Sequence, residues 1–291
     1  MTQNMIQNYE QLGTVLHEFR VSRKMSLKQI ADDTVSVSQI SRFERGESDI
    51  SFYKFLRILE NMHVEVNEFI DAARGYDKTE TIKFMGQMVP LEYKRDKAGF
   101  QRLFEEQREK YNKKPSVYQY HLNMILVQGF ICKCDDSIPF PKEYMEEVTD
   151  YLFTVEKWQI YELILIGNLY LFIDISLLHR MGQEIINRYS ENGANKGLVI
   201  ITLLNIWETC IHREALEVAE YYKKCIYPLI ADETMLYERN IYHFLLGMYL
   251  YKCGEKELGI SKMEQAIQIY EWLGCDNLSR NYKDDRLKYV K

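Results

Sequence analysis

Between Ser36 and Gly46 the chain reads Ser-Val-Ser-Gln-Ile-Ser-Arg-Phe-Glu-Arg-Gly, and its polar residues recur at the spacing of one helix face. Ser36 is a helix-start residue whose hydroxyl can take orphan amides, and Gly46 is the residue that ends a helix in the left-handed conformation. Ile40 and Phe43, with Val35 and Val37, supply an apolar side. The opposite side carries Ser38, Gln39, Ser41, Arg42 and Arg45, with the cap Ser36 at its start. Hydroxyls, an amide and two guanidiniums on a short helix suit the major groove of DNA, where Arg pairs bidentately with guanine and Ser or Gln reaches base edges or phosphates. Arg42, one turn beyond Ser38, is placed to read a base, and Arg45, at the helix end, to touch phosphate.

A helix used in this way has to be held by others. Ser26 caps a preceding short helix expected over Leu27 to Asp33, with Leu27, Ile30 and Ala31 turned inward, Lys28 turned outward, and a tight turn at Thr34 and Val35. That pair is a helix-turn-helix. Leu12, Leu16 and Phe19 upstream, and Phe52, Phe55, Leu56 and Leu59 after a cap at Ser51, predict flanking helices, and Glu65 to Arg74 a fifth. Gly75-Tyr76-Asp77 reads as the exit, which sets a first domain at residues 1–75 and a second at 76–291.

The run Leu16…Arg20…Ser26-Leu27-Lys28-Gln29-Ile30-Ala31…Val35-Ser36…Ile40-Ser41-Arg42-Phe43-Glu44-Arg45-Gly46 resembles the DNA-binding domain of the phage Cro and repressor (XRE) family. That resemblance implies base contacts from Val37, Ser38 and Arg42 and an internal ion pair between Arg20 and Glu44. Thr34 stands where the family usually has a turn glycine, and the segment from Ala31 to Ser36 is about one residue shorter. With the long helical remainder, the chain resembles the Rgg/MutR/GadR regulators of Gram-positive bacteria. This second resemblance implies a transcription regulator responding to a short, reimported quorum-sensing peptide pheromone.

Charge fits a local nucleic-acid surface. The chain carries a formal −6, yet Arg20 to Arg57 holds eight cations against five acids, so positive field is confined to that window. Such a modest excess predicts specific, dimer-dependent binding over strong non-specific affinity. At 291 residues and 46% hydrophobic the chain can fill two cores, and 5 Pro and 14 Gly against 22 Tyr and 13 Phe point to aromatic-packed helices. The most apolar stretch, Leu163 to Leu178, is interrupted by Asn168 and Asp174, and the N-terminus lacks a signal-peptide pattern, so a cytoplasmic protein without membrane spans is expected. None of the six cysteines forms a Cys-x-x-Cys pair, and no cofactor or metal is implied.

From about Thr79 amphipathic helices come in pairs. Gly167, Trp207 and Gly247 each lie inside an apolar helix, 40 residues from the next. The repeat unit is a first helix (117–132, 158–173, 198–211, 238–252) followed by a second (142–155, 176–190, 214–229, 255–272), closest to the tetratricopeptide pattern in its last copy. Stacked pairs form a superhelix with a concave face. The fold class expected is therefore all-α, a five-helix helix-turn-helix domain followed by a TPR-like superhelix. On the concave face Asn168 and Asn205 are expected to bond the backbone of an extended peptide, and Trp207 and Tyr242 to offer side-chain pockets. The expected partners are operator DNA, a short linear peptide and a second copy of the chain. A phage- or toxin-linked repressor whose repeats bind another protein is the alternative. An enzyme is disfavoured, because the chain has no Gly-rich phosphate loop, His-Glu-x-x-His or nucleophile elbow.

Overall fold

A computed structural model describes residues 9–135, 137–188 and 195–290. Among them every regular element is a helix, and the chain divides into two units, residues 1–87 and 88–291.

Five helices build the first unit: α1 (Tyr9–Ser22), α2 (Leu27–Ile30), α3 (Val37–Glu44), α4 (Phe52–Asn61) and α5 (Val66–Ala73). Leu16, Ile30, Val35, Ile40, Phe43, Ile58, Leu59 and Phe69 close the core, in which Phe55 meets Phe43 and Phe69 edge-on at 6.2 and 4.8 Å. The backbones of α1 and α3 run so close that a Cβ on Gly13 would fall 2.0 Å from the Phe43 carbonyl oxygen. Only glycine fits there.

The second helix stops at Ile30, earlier than the expected Asp33, and Ala31 is already extended. The cause is Asp32, whose Oδ1 accepts the amides of Thr34 at 2.8 Å and Val35 at 3.1 Å and so folds a side-chain turn that competes with helix continuation. This turn replaces the glycine turn of the resembled family and brings Ser36 to its capping position.

Helix α6 (Glu80–Lys94) begins in the first unit and ends in the second. There α7 (Lys97–Lys113) packs on α8 (Tyr118–Cys134), followed by α9 (Lys142–Thr154), α10 (Ile160–Leu169) with a 3₁₀ turn at Tyr170–Phe172, α11 (Ile175–Arg188), α12 (Lys196–His212), α13 (Leu216–Leu229), α14 (Leu236–Lys252), α15 (Lys256–Trp272) and α16 (Asp276–Tyr289). The first helices of successive pairs, α8, α10, α12 and α14, stack in a row, while α13 and α15 pack against α12 and α14. Their nearly continuous apolar surfaces explain the arrangement: α8 and α12 bury residues on most of their circumference, as a helix flanked by neighbours on several sides must.

Candidate DNA and peptide interfaces

The start of α3 is a capping box. Ser36 Oγ accepts the Gln39 amide at 3.3 Å, and Gln39 Oε1 accepts the Ser36 amide at 3.2 Å. Both side-chain oxygens thus fix the helix start, leaving the Gln39 amide nitrogen for an outside partner. The far end closes on Gly46 at φ +70°, with Glu47 N donating to Arg42 O and Gly46 N to Phe43 O, each at 2.9 Å. Between these ends Val37, Ser38 and Arg42 are exposed, and Lys28 is exposed on α2.

The three arginines around α3 are in different states. Arg20 grips Glu44 with Nε at 2.6 Å and Nη2 at 2.7 Å, and donates Nη1 to the Met25 carbonyl at 2.8 Å, tying α1 to α3. This is the internal pair the resemblance implied. Arg45 is held by Glu47 through Nε at 2.6 Å and Nη2 at 2.7 Å, and its Nη1 donates to Ser41 Oγ. That hydrogen-bonded pairing raises the Arg45 pKa and lowers that of Glu47. Arg42 has no hydrogen-bonded or ion-paired side chain among the described residues and stands exposed. The phosphate role expected of Arg45 therefore meets a neutralising neighbour that the sequence reading did not weigh.

In the repeat unit Asn168 and Asn205 are half-buried and lie close together, since Asn205 Nδ2 donates to Gly167 O at 2.7 Å and Asn168 Nδ2 to Ile164 O at 2.8 Å. Their side-chain oxygens meet no donor among the described residues. Trp207 and Tyr242 behave otherwise than expected. Trp207 is fully buried with its ring 4.8 Å from that of Tyr242, which is 8% exposed and donates its hydroxyl to Lys223 O at 3.2 Å. Both rings fill the contact between α12 and α14. They are core residues and not the walls of an open pocket. Asn123 and Asn240 are core-bonded too, to Gln107, Tyr161 and the Ala266 carbonyl.

Residues 101–284 match the family described as HTH-type transcriptional regulator Rgg, C-terminal domain, and residues 16–69 match a helix-turn-helix family. The crystal structure of the Streptococcus dysgalactiae SHP pheromone receptor Rgg2 is 30% identical, covering 96% of this chain and 100% of that one, with a TM-score of 0.77. The chain belongs to the Rgg transcriptional regulators. The Rgg fold is shared more distantly with a structure from Listeria monocytogenes EGD-e, at 19% identity over 97% and 98% of the two chains with a TM-score of 0.79. Bacillus thuringiensis PlcR, solved with the peptide PapR7 and DNA, shares it at 14% identity over 95% and 98%, with a TM-score of 0.67. The matched family is one of transcriptional regulators. No described helix is long and apolar enough to cross a membrane.

The sequence reading of this Rgg chain missed a second set of polar residues, carried by the ends of the first helices. Lys133 ends α8, Tyr170 follows α10, Glu208 and His212 end α12, and Arg95 follows α6. Tyr170 donates its hydroxyl to Glu208 Oε2 at 3.2 Å. Each looks in the sequence like an ordinary solvated helix terminus, and only the stacking of the repeats brings Lys133, Tyr170 and Glu208 together, with Arg95 and His212 exposed.

Proposed function

We propose that this chain binds operator DNA sequence-specifically through α3, as a homodimer, and that a short linear peptide bound to the concave face of residues 76–291 controls it. The observation that carries the DNA assignment is the arginine sorting: Arg20 and Arg45 are neutralised by Glu44 and Glu47, and Arg42 is left exposed beside Ser38 and Val37. A guanidinium without an internal acceptor is the one positioned to take a base edge. Lys28, Ser36, Gln39, Ser41 and Arg45 surround it as candidate phosphate or base contacts.

Peptide control is supported by the similarity, along nearly the full chain, to a pheromone receptor. The paired acceptors Asn168 Oδ1 and Asn205 Oδ1 suit the amide hydrogens of an extended guest backbone. Arg42→Ala is expected to cost about 1–3 kcal/mol on the operator and to relax preference at one base pair, measured by fluorescence anisotropy on operator and random duplexes. Equal losses on both DNAs would overturn the base-reading role. Titration of an apolar octapeptide library against wild type and Asn168→Ala/Asn205→Ala tests the ligand, and the absence of saturable binding to wild type would overturn peptide control.

A further inference from the structure

Lys133 has its Nζ 4.7 Å from the ring centroids of both Phe130 and Tyr170, with no hydrogen-bond acceptor or ion-pair partner among the described residues. Burial lowers its pKa against the pull of Glu92 and Glu208. Burial likewise drives the hydroxyls of Tyr170 and of Tyr282, on α16, well above the usual tyrosine range. Yet all three side chains remain only half-buried. Groups that pack on neighbouring rings and still keep accessible surface line a recess between the helices rather than a solid core. Glu208 and Asp285 belong to the same interior, where burial first and Glu208 second raise the Asp285 carboxyl.

Helix α16 closes this hollow with two unlike edges. Towards α14 and α15 it is held by aromatic packing as well as charge: the Tyr282 ring stands edge-on to Phe244 at 4.6 Å and lies 5.1 Å from Tyr270, Ser279 is buried beneath, and Lys283 and Arg286 pair with Glu271 and Glu264. Towards the end of α6 it is held by polar contacts. Arg95 Nη2 lies 3.2 Å from Asp285 Oδ1 and Nη1 3.9 Å from Asp284 Oδ2, and Asn281 Nδ2 donates to Tyr93 O at 3.3 Å. The three charged side chains are 38–47% exposed, and ion pairs of that exposure are the weakest interactions in a fold. One edge is a hinge and the other a clasp.

We propose that the Arg95 clasp is the door through which the controlling peptide enters the hollow, with α16 remaining seated on α14 and α15; this rests on the peptide-control reading. The ligand chemistry follows from the floor of the hollow. Lys133 offers unfilled donors, while Glu208 repels an anion, so neutral backbone carbonyls are the acceptors that satisfy the ammonium without meeting repulsion.

The test uses the full-length protein in two independent forms, Arg95→Ala and Asp284→Asn/Asp285→Asn. Each is expected to speed amide hydrogen exchange across 276–289 about five-fold while leaving 256–272 unchanged. Each is also expected to raise the association rate of a fluorescein-labelled pool of apolar octapeptides by about the same factor. Unchanged exchange in both variants would show that no clasp exists. Faster exchange with unchanged peptide association would show that the ligand enters elsewhere. Faster exchange with no peptide bound by wild type or variants would instead refute peptide control, and the assignment of the door to a ligand with it.

Discussion

Removing the Glu44 carboxylate should do more damage to the N-terminal unit than any other single charge deletion. The side chain is 5% exposed, Arg20 is 12% exposed, and two short hydrogen bonds join them, with His17 Nδ1 2.9 Å from the same carboxylate. Glu44→Ala leaves a nearly buried guanidinium with its Met25 carbonyl contact but no counter-charge. Breaking a buried pair from one side costs about 3–5 kcal/mol, and the surviving Met25 bond argues for the lower end, about 3 kcal/mol. For a domain of this size each kcal/mol moves the melting point about 4–8 °C, so the N-terminal transition should fall by roughly 12–24 °C. Trp158, Trp207 and Trp272 all lie beyond residue 87, so tryptophan fluorescence follows the repeats alone, and its difference from far-ultraviolet circular dichroism isolates the N-terminal unit. Arg20→Met/Glu44→Met should recover to within about 1 kcal/mol of wild type, because neither charge is then stranded. The pH dependence has a definite sign. Burial pushes the Glu44 carboxyl up, but the hydrogen bonds from Arg20 and His17 outweigh it and hold the group below its ordinary value. Its stabilisation is therefore complete above the ordinary carboxylate range and is lost as pH falls through the lowered folded value. Wild type should lose N-terminal stability below about pH 4 more steeply than Glu44→Ala. A loss under about 1 kcal/mol at neutral pH would mean that the pair behaves like a surface ion pair, and the reasoning would fail.

Glu47→Gln should release Arg45, tightening binding to random DNA and steepening its salt dependence by about one unit, as anisotropy titrations at several ionic strengths would show; an unchanged slope would mean that Arg45 does not approach phosphate. Lys133→Met should stabilise the repeat domain by about 1–3 kcal/mol at pH 7, because a desolvated ammonium is replaced by an apolar chain of similar length. Since the Lys133 pKa is lowered on folding, that gain should shrink as pH rises towards the ordinary lysine value, measured by urea midpoints followed through tryptophan fluorescence. Gly182→Ala should destabilise the same transition by about 1–3 kcal/mol, because its Cβ would fall 2.0 Å from the Tyr222 hydroxyl and force α11 away from α13.

Much of the architecture could be read from local chemistry. Helix α3 was legible because its boundaries are written in Ser36 and Gly46, whose capping bonds span only three to five residues. The repeat helices were legible because long apolar runs separated by Pro, Gly, Asn and Asp breaks leave few alternatives; Lys142–Thr154 and Lys256–Trp272 end within one residue of expectation. The early stop of α2 was not, since Asp32 favours a turn without fixing where it starts until its carboxylate is seen holding two amides. The concave face was the least legible. Sequence spacing marks Trp207 as one apolar residue among many, whereas its burial depends on the packing of α12 against α14, where its ring meets that of Tyr242. Lys133 and Asp285 lie far apart along the chain, and nothing local to either announces a shared interior.

The contact between Arg95 and Asp285 joins residues 190 positions apart. Repeat proteins ordinarily fold by adding each unit to the one before, but this closure cannot be made until Asp285 has been synthesised. At about 5–20 residues per second, the interior stays open on the ribosome for roughly 10–40 s after Arg95 has been made. Polar groups destined for the hollow, Lys133 and Tyr170 among them, remain hydrated through that interval, and the cost of drying them falls on a single late event. A chain truncated before Asp276 should therefore fold its stacked repeats and keep the solvated interior of a nascent one.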